Sequence, residues 1–369
     1  MFGVACVEPV DLERVDLDGP SDPDATAETS ALFHNLRAIS DEATMFGHQD
    51  DLAYGVDWFG EPGRSDVFET AGSYPAVTGW DLGGIEHGNR QSLDRIEFDD
   101  MRALMITSFE RGAVQTASWH LDNLATGGDS WDYRGELHEL LPDGDHHELF
   151  VAALDRLAEF VTSIVTVDGV PVPIVFRPFH EMNGDWFFWG ARDRDDFIDL
   201  WRFTVTYLRQ TRDVHQLLYC YAPDRFDSTA ELARYYPGDE WVDVIGFDDY
   251  DSVARPVSLG RFARRLRRTV EFADAGGKIA ALTETGEEGV PDPDWWTDVL
   301  LEGLRRDPVG ARVAWALVWR NANASIGPEG HFFAPHADHP SAPNFAVFRA
   351  APDIWFEDEL PDLYLLNAR

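Results

Sequence analysis

Two glutamates sit where chemistry is expected. Glu181 lies in the run Arg177-Pro178-Phe179-His180-Glu181-Met182-Asn183-Gly184-Asp185-Trp186, and Glu284 in Leu282-Thr283-Glu284-Thr285-Gly286. Each follows an apolar, β-prone stretch, where an unpaired carboxylate is costly to bury. One such glutamate is an ordinary solvated strand end. Two, each in an aromatic and histidine setting, suit a reaction that needs a pair of carboxyl groups. Glycosidic bond cleavage is such a reaction: one carboxyl protonates the leaving oxygen, and the other meets the anomeric carbon or activates water. The expectation is about 5–5.5 Å between the two groups, the spacing for net retention. Glu181 is expected to carry the raised pKa, because like charges this close disfavour double ionisation. Arg177 is expected on the same strand face as Glu181 by alternation, keeping Glu284 ionised from below.

Aromatic residues supply the second signal. Sugars pack their C–H faces on rings and direct their hydroxyls to polar groups. Trp80, Trp119, Trp186, Trp189, Tyr250 and Trp319 all fall at or just past the ends of β-prone runs. Asp81, His120, Asn123, Asp248 and Arg320 are their polar complement.

Such residues act together only if the fold converges them. Short β-prone runs occur near 43–47, 74–81, 113–120, 173–181, 216–222, 242–248, 278–284 and 312–319. Helical patterns alternate with them, at 93–112, 146–165, 194–211, 259–276 and 292–307. Eight β–α pairs predict an α/β fold, a single-domain (β/α)8 TIM barrel, whose strand ends meet on one face. The polar motifs GHQDD, GWDLGG, SWHLDN, FHEMNGDW, YAPD, FDDY, TETG and VWRNAN stand at those eight ends.

These motifs, in this order, resemble glycoside hydrolase family 26, the β-mannanase family of the retaining barrel clan. The resemblance rests on RPFHEMNGDWFFWG at 177–190, TETG at 283–286, GFDDY at 246–250, GHQDD at 47–51, WHLDN at 119–123 and VWRNAN at 318–323. It implies Glu181 as acid/base and Glu284 as nucleophile. It places His180 and Trp186 beside the scissile bond, Tyr250 on the nucleophile and Asp248 nearby. His120, Trp319 and Arg320 would shape the sugar site on the non-reducing side. Trp119 and Asn123 join the sugar-binding set through the WHLDN motif, and His48 and Asp81 support it from behind. The implied activity is endo-acting hydrolysis of β-1,4-mannan by double displacement, with no cofactor and no metal. A β-1,3-xylanase or lichenase-like enzyme is the alternative within the family. A barrel that binds glycan without cutting it is the alternative outside enzymes, and the glutamate pair argues against it.

Composition bounds the rest. The 369 residues carry 30 basic and 67 acidic side chains, a net charge of −37, with Lys278 the one lysine. Such a surface repels nucleic acid and anionic membranes; the partner that the resemblance implies is a polysaccharide or oligosaccharide, with a monomer expected. The acid excess runs along the whole chain and predicts adaptation to molar salt, where self-repulsion is screened. No stretch reaches the length of a membrane span. Residues 1–28 are acidic and Pro/Gly-rich and read as a flexible or loosely docked arm before a catalytic domain over 29–369. Cys6 lies in that arm, and Cys220 reads as a small buried hydrophobe. No leader pattern opens the sequence, yet a polymer substrate implies export; secretion is expected, with the cytoplasm as alternative. P-loop, dinucleotide and GxSxG motifs are absent. His331, His336 and His339 are expected to be solvated or hydrogen-bonded loop residues in preference to metal ligands.

Overall fold

The computed structural model describes residues 19–322, 325–328 and 330–366. Its centre is a ring of parallel strands. β1 (Thr44–Gln49), β2 (Val77–Asp81), β3 (Val114–Trp119), β4 (Ile174–Pro178) and β5 (Leu217–Tyr221) are continuous. β6 runs in two pieces, Val244–Ile245 and Asp248–Asp249, as does β7, Ile279–Ala280 and Leu282–Thr285. β8 is Trp315–Val318. Every strand residue in this ring is buried, as parallel strands covered on both faces must be. Successive strands pair from β1 to β6, the two pieces of β7 pair with the two pieces of β6, and β8 joins β7 to β1. The ring therefore closes into the expected barrel.

Helices follow the strands. They are α1 (Ala27–Ile39) before β1, then α2 (Asp66–Ala71), α3 (Phe98–Glu110), α4 (His147–Thr162), α5 (Arg194–Thr206), α6 (Thr229–Leu232), α7 (Leu259–Gly276), α8 (Glu302–Arg305) and α9 (Ala342–Arg349). α4 shows why they form. Phe150, Ala153, Leu154, Leu157, Ala158 and Val161 are buried at helical spacing and face the sheet. The region 292–307, expected as one helix, instead holds a wide π-type turn over Trp296–Leu301 before the short α8.

The boundary expected at residue 28 falls inside α1. Residues 1–18 of the expected arm, with Cys6, lie outside the described residues. From there the chain is pinned under the barrel. Ser21 and Asp22 are buried, the Ser21 N–H donates to Asp243 at 2.5 Å, and the Thr26 N–H to the His215 carbonyl at 3.0 Å. Cys220 is buried, as expected. Among the described residues no helix is long and apolar enough to cross a membrane.

Candidate active site

β7 delivers Glu284 from inside the strand, and β6 sets Asp248 directly beside it in register. The fork of Arg177, on β4, is divided between the two. One nitrogen donates to Asp248 at 2.8 Å, and the other donates to Glu284. The Tyr250 hydroxyl donates to the second Glu284 oxygen at 2.9 Å, and the Thr283 hydroxyl to Asp248 at 2.6 Å. Both oxygens of Glu284 thus accept from fixed donors, and its side chain is oriented before any substrate arrives.

Glu181 reaches the same point by a different route. β4 stops at Pro178, so strand alternation does not carry Arg177 and Glu181 to one face, contrary to the expectation above. Phe179 and Glu181 instead take left-handed φ values of 49° and 54°. A side-chain-bearing residue there costs about 1–3 kcal/mol unless its surroundings hold it. They do: Phe179 is wedged among Trp119, Phe150, Trp189 and Trp201, and the Glu181 N–H donates to the Ala222 carbonyl at 2.7 Å. The turned backbone aims the carboxyl inward. One oxygen each of Glu181, Asp248 and Glu284 lie within 4.8 Å of one another.

Electrostatics acts strongly on Glu181. Burial, then the charges of Glu284 and Asp224, push Glu181 up to about 8. Burial also raises Asp248, against the pull of Arg177. Burial keeps the Tyr250 phenol protonated and so a donor to Glu284. Around the pair, burial lowers the pKa of His180 well below the usual histidine range, with Arg177 and His120 adding to it, so the ring is neutral. Its Nδ1 is buried without a hydrogen-bond partner among the described residues. His120 goes the other way: burial opposes its charge, but Asp81, 2.6 Å from its Nδ1, outweighs that.

A buried carboxyl with a raised pKa facing a second glutamate held by fixed donors in a barrel mouth suits glycosidic bond cleavage, and the relatives of the chain agree with it. The sequence profile of Glycosyl hydrolase family 26 matches residues 21–299. The chain belongs to that family. A mannan endo-1,4-beta-mannosidase of Bifidobacterium adolescentis is 36% identical over 355 residues, 90% of this chain and 34% of that protein. The chain therefore spans about a third of that relative's length. A family 26 β-mannanase from Bacteroides ovatus superposes with a TM-score of 0.88 at 38% identity, covering 93% of this chain and 99% of that one. An endo-β-1,4-mannanase from Cellulomonas fimi gives 0.85 at 36% identity, over 94% and 79% of the two chains.

In this family 26 barrel the mouth gathers most of the expected residues. Trp186 is half-buried and donates its indole N–H to Glu181 at 2.6 Å. His120 lies edge-on to His180, with ring centroids 4.7 Å apart, and near half-buried Trp319 at 6.4 Å. Arg320 pairs with Asp94, Asp81 lies behind His120 on its Nδ1, and buried His48 pairs with Asp51 at 2.7 Å.

Four expected residues do not reach the mouth. Trp119 is fully buried and donates to Glu86 at 3.1 Å. It ends β3 on the face opposite Ser118, so alternation turns it toward the helices. Trp80 and Trp189 are also fully buried, donating to Gln115 and to the His180 carbonyl. Asn123 spends its side chain on the carbonyls of Asp132 and Arg134 and on the Ala125 N–H, shaping the loop.

Residues not singled out above stand beside His120, His180 and Arg320. Trp131 is 53% exposed and lies parallel to the His120 ring, 5.7 Å between centroids. Phe187 packs against both His120 and His180. Asp50, raised by burial to about 7, accepts from Tyr54 at 2.5 Å beside Arg320. Asp50 was legible as part of GHQDD; Trp131 sits in the long β3–α4 loop, where no strand register marks it. Elsewhere, His331 pairs with Glu288 at 2.7 Å and His339 with Ser341 at 2.9 Å, hydrogen-bonded as expected.

Proposed function

We propose that the chain hydrolyses β-1,4-mannan within the polymer, by double displacement with net retention. The observation that carries this reading is the buried Glu181 with an oxygen within 4.8 Å of one of Glu284, itself oriented by Arg177 and Tyr250. In the first step Glu284 attacks the anomeric carbon, and the glycosidic C–O bond breaks as Glu181 gives its proton to the leaving oxygen. An ester to Glu284 results. Glu181, now ionised, takes a proton from water as that water attacks the same carbon and releases Glu284. This spacing favours retention, since inversion needs about 6.5–9.5 Å to seat a water between the groups.

Half-buried Trp186 and Trp319 and exposed Trp131 supply ring faces for sugars; His120, neutral His180 and Arg320 supply the polar contacts. The names of the relatives support mannan as the substrate. Export of a monomer fits a polymeric substrate and a strongly acidic surface, and the catalytic unit is proposed to begin by Ser21.

The test is product analysis on mannan, glucomannan, xylan and lichenan, with the anomer first released followed by NMR. Rapid loss of mannan viscosity with β-anomer first supports the reading. Preference for xylan or lichenan moves the substrate within the family, α-anomer first overturns retention, and no cleavage of any leaves a glycan-binding barrel.

A further inference from the structure

α7 buries the face that carries Phe262, Leu266, Thr269, Val270 and Ala273, and Arg265 falls on that same face. Arg265 is 2% exposed. A guanidinium this deep is tolerated only when its charge and its donors are met, and here they are. One terminal nitrogen donates to Asp249 at 2.9 Å and to the Ser252 hydroxyl at 2.8 Å; Nε donates to the Phe226 carbonyl at 2.9 Å, and the other terminal nitrogen reaches Asp227 at 3.4 Å.

These partners belong to two segments, and each leads to one glutamate. Asp249 and Ser252 flank Tyr250, which donates to Glu284. The Ser252 N–H closes the turn on Asp249 at 2.9 Å, and the Thr285 hydroxyl ties the Asp249 carbonyl back to β7 at 2.8 Å. Phe226 and Asp227 continue the chain from Asp224, whose charge helps hold the proton on Glu181. The Asn183 side chain, just past Glu181, bonds the Asp224 N–H at 2.8 Å and the carbonyls of Asp224 and Arg225 at 3.0 and 3.2 Å. Through these bonds one guanidinium on an outer helix joins the surroundings of both carboxyl groups.

We infer that Arg265 is a positioning residue for the reaction: anchored on the Phe226–Asp227 segment, it fixes the Asp249–Ser252 turn so that Tyr250 stays on Glu284. The role rests on the assignment of Glu181 and Glu284 proposed above. A lysine cannot replace it, because a single ammonium lacks the planar fork that serves three directions at once.

The experiment compares Arg265→Lys and Ser252→Ala with the unaltered full chain on soluble mannan, and repeats each substitution in a Tyr250→Phe background. Arg265→Lys leaves a cation beside Asp249, and Ser252→Ala removes one arm of the clamp, so a cooperative melt is expected from at least one. The expected result is a kcat about 10–100-fold lower for Arg265→Lys, the scale for sub-ångström to 1 Å misplacement, and a smaller loss for Ser252→Ala. KM stays within about two-fold, since no sugar contact is removed. In the Tyr250→Phe background the further loss shrinks to under about three-fold, because both changes act through one hydrogen bond. Folded variants with unaltered kcat, or losses that multiply in full with Tyr250→Phe, overturn the positioning role. Glu284→Gln is run alongside. If it still turns over, the assignment of the pair itself fails; if it is inert while Arg265→Lys is fully active, only the positioning role fails.

Discussion

Trp186 donates its indole N–H to Glu181 at 2.6 Å. The half-buried ring proposed to meet the sugar therefore also holds the carboxyl proposed as the acid. This hydrogen bond favours the ionised form, so it lowers the Glu181 pKa against burial and the neighbouring carboxylates. Trp186→Phe keeps a ring but removes the donor. The expected outcome is an alkaline limb of kcat/KM that moves to higher pH, with KM nearly unchanged. Trp186→Ala removes the ring as well and is expected to cost on the order of 1–3 kcal/mol in kcat/KM, the scale of a lost large apolar contact. Steady-state kinetics across pH, with both variants folded, checks this; a limb that moves to lower pH overturns it.

Glu181 also links pH to stability. Its folded pKa, about 8, lies above the ordinary 4.5. Between those values the folded state binds the extra proton, so this group's contribution falls as pH rises through the window. Glu181→Gln removes that dependence. The variant is expected to melt at higher temperature than the unaltered chain at pH 8, with a smaller advantage at pH 5. An equal difference at the two pH values, measured by calorimetry, contradicts the raised pKa.

The roles proposed for the two glutamates differ, so the two variants are expected to fail differently. Glu284→Ala is expected to abolish turnover of every glycan. Glu181→Ala is expected to retain the first step on an aryl mannoside whose leaving group needs no proton, while losing mannan. A burst of released phenol followed by slow turnover is the signature. Equal loss of both substrates in Glu181→Ala argues against its role as acid.

Two tryptophans, one exposed and one buried, are expected to separate binding from folding. Trp131→Ala should raise KM or lower kcat with little change in melting temperature, because the ring lies 53% exposed on His120. Trp119→Ala should cost about 3–5 kcal/mol of stability, the range for emptying an aromatic core site. Wild-type kinetics in Trp131→Ala removes that ring from the glycan site.

The charge of −37 with one lysine predicts a salt response. Thermal stability is expected to rise between about 0.1 M and 3 M NaCl, where screening shortens the range of self-repulsion from about 10 Å to below 3 Å. A flat or falling melting temperature over that range refutes adaptation to high salt.

Periodicity and apolar runs located all eight strands, because each is buried and its neighbours in sequence are polar strand ends. The same patterning brought Glu181, Glu284, Asp248, Tyr250, His120, His180, Trp186 and Trp319 to one mouth, since parallel strands in a closed ring must end on one face. α1 was partly hidden by the acidic composition of the segment before it, which gives no sign that Ser21 and Asp22 are buried under the barrel. Alternation was overextended at Glu181: a left-handed turn after Pro178, held by packing around Phe179, sets that side chain, and such a turn is a tertiary outcome. Which aromatics stand at the mouth was likewise decided in three dimensions. Trp119 and Trp131 are the same residue type near one strand end, but one faces the helix layer and the other lies on the His120 ring. Sequence determined which residue types stand at the strand ends. Tertiary structure decided which of them point inward and which proton they hold, because direction and burial depend on neighbours far away in the chain.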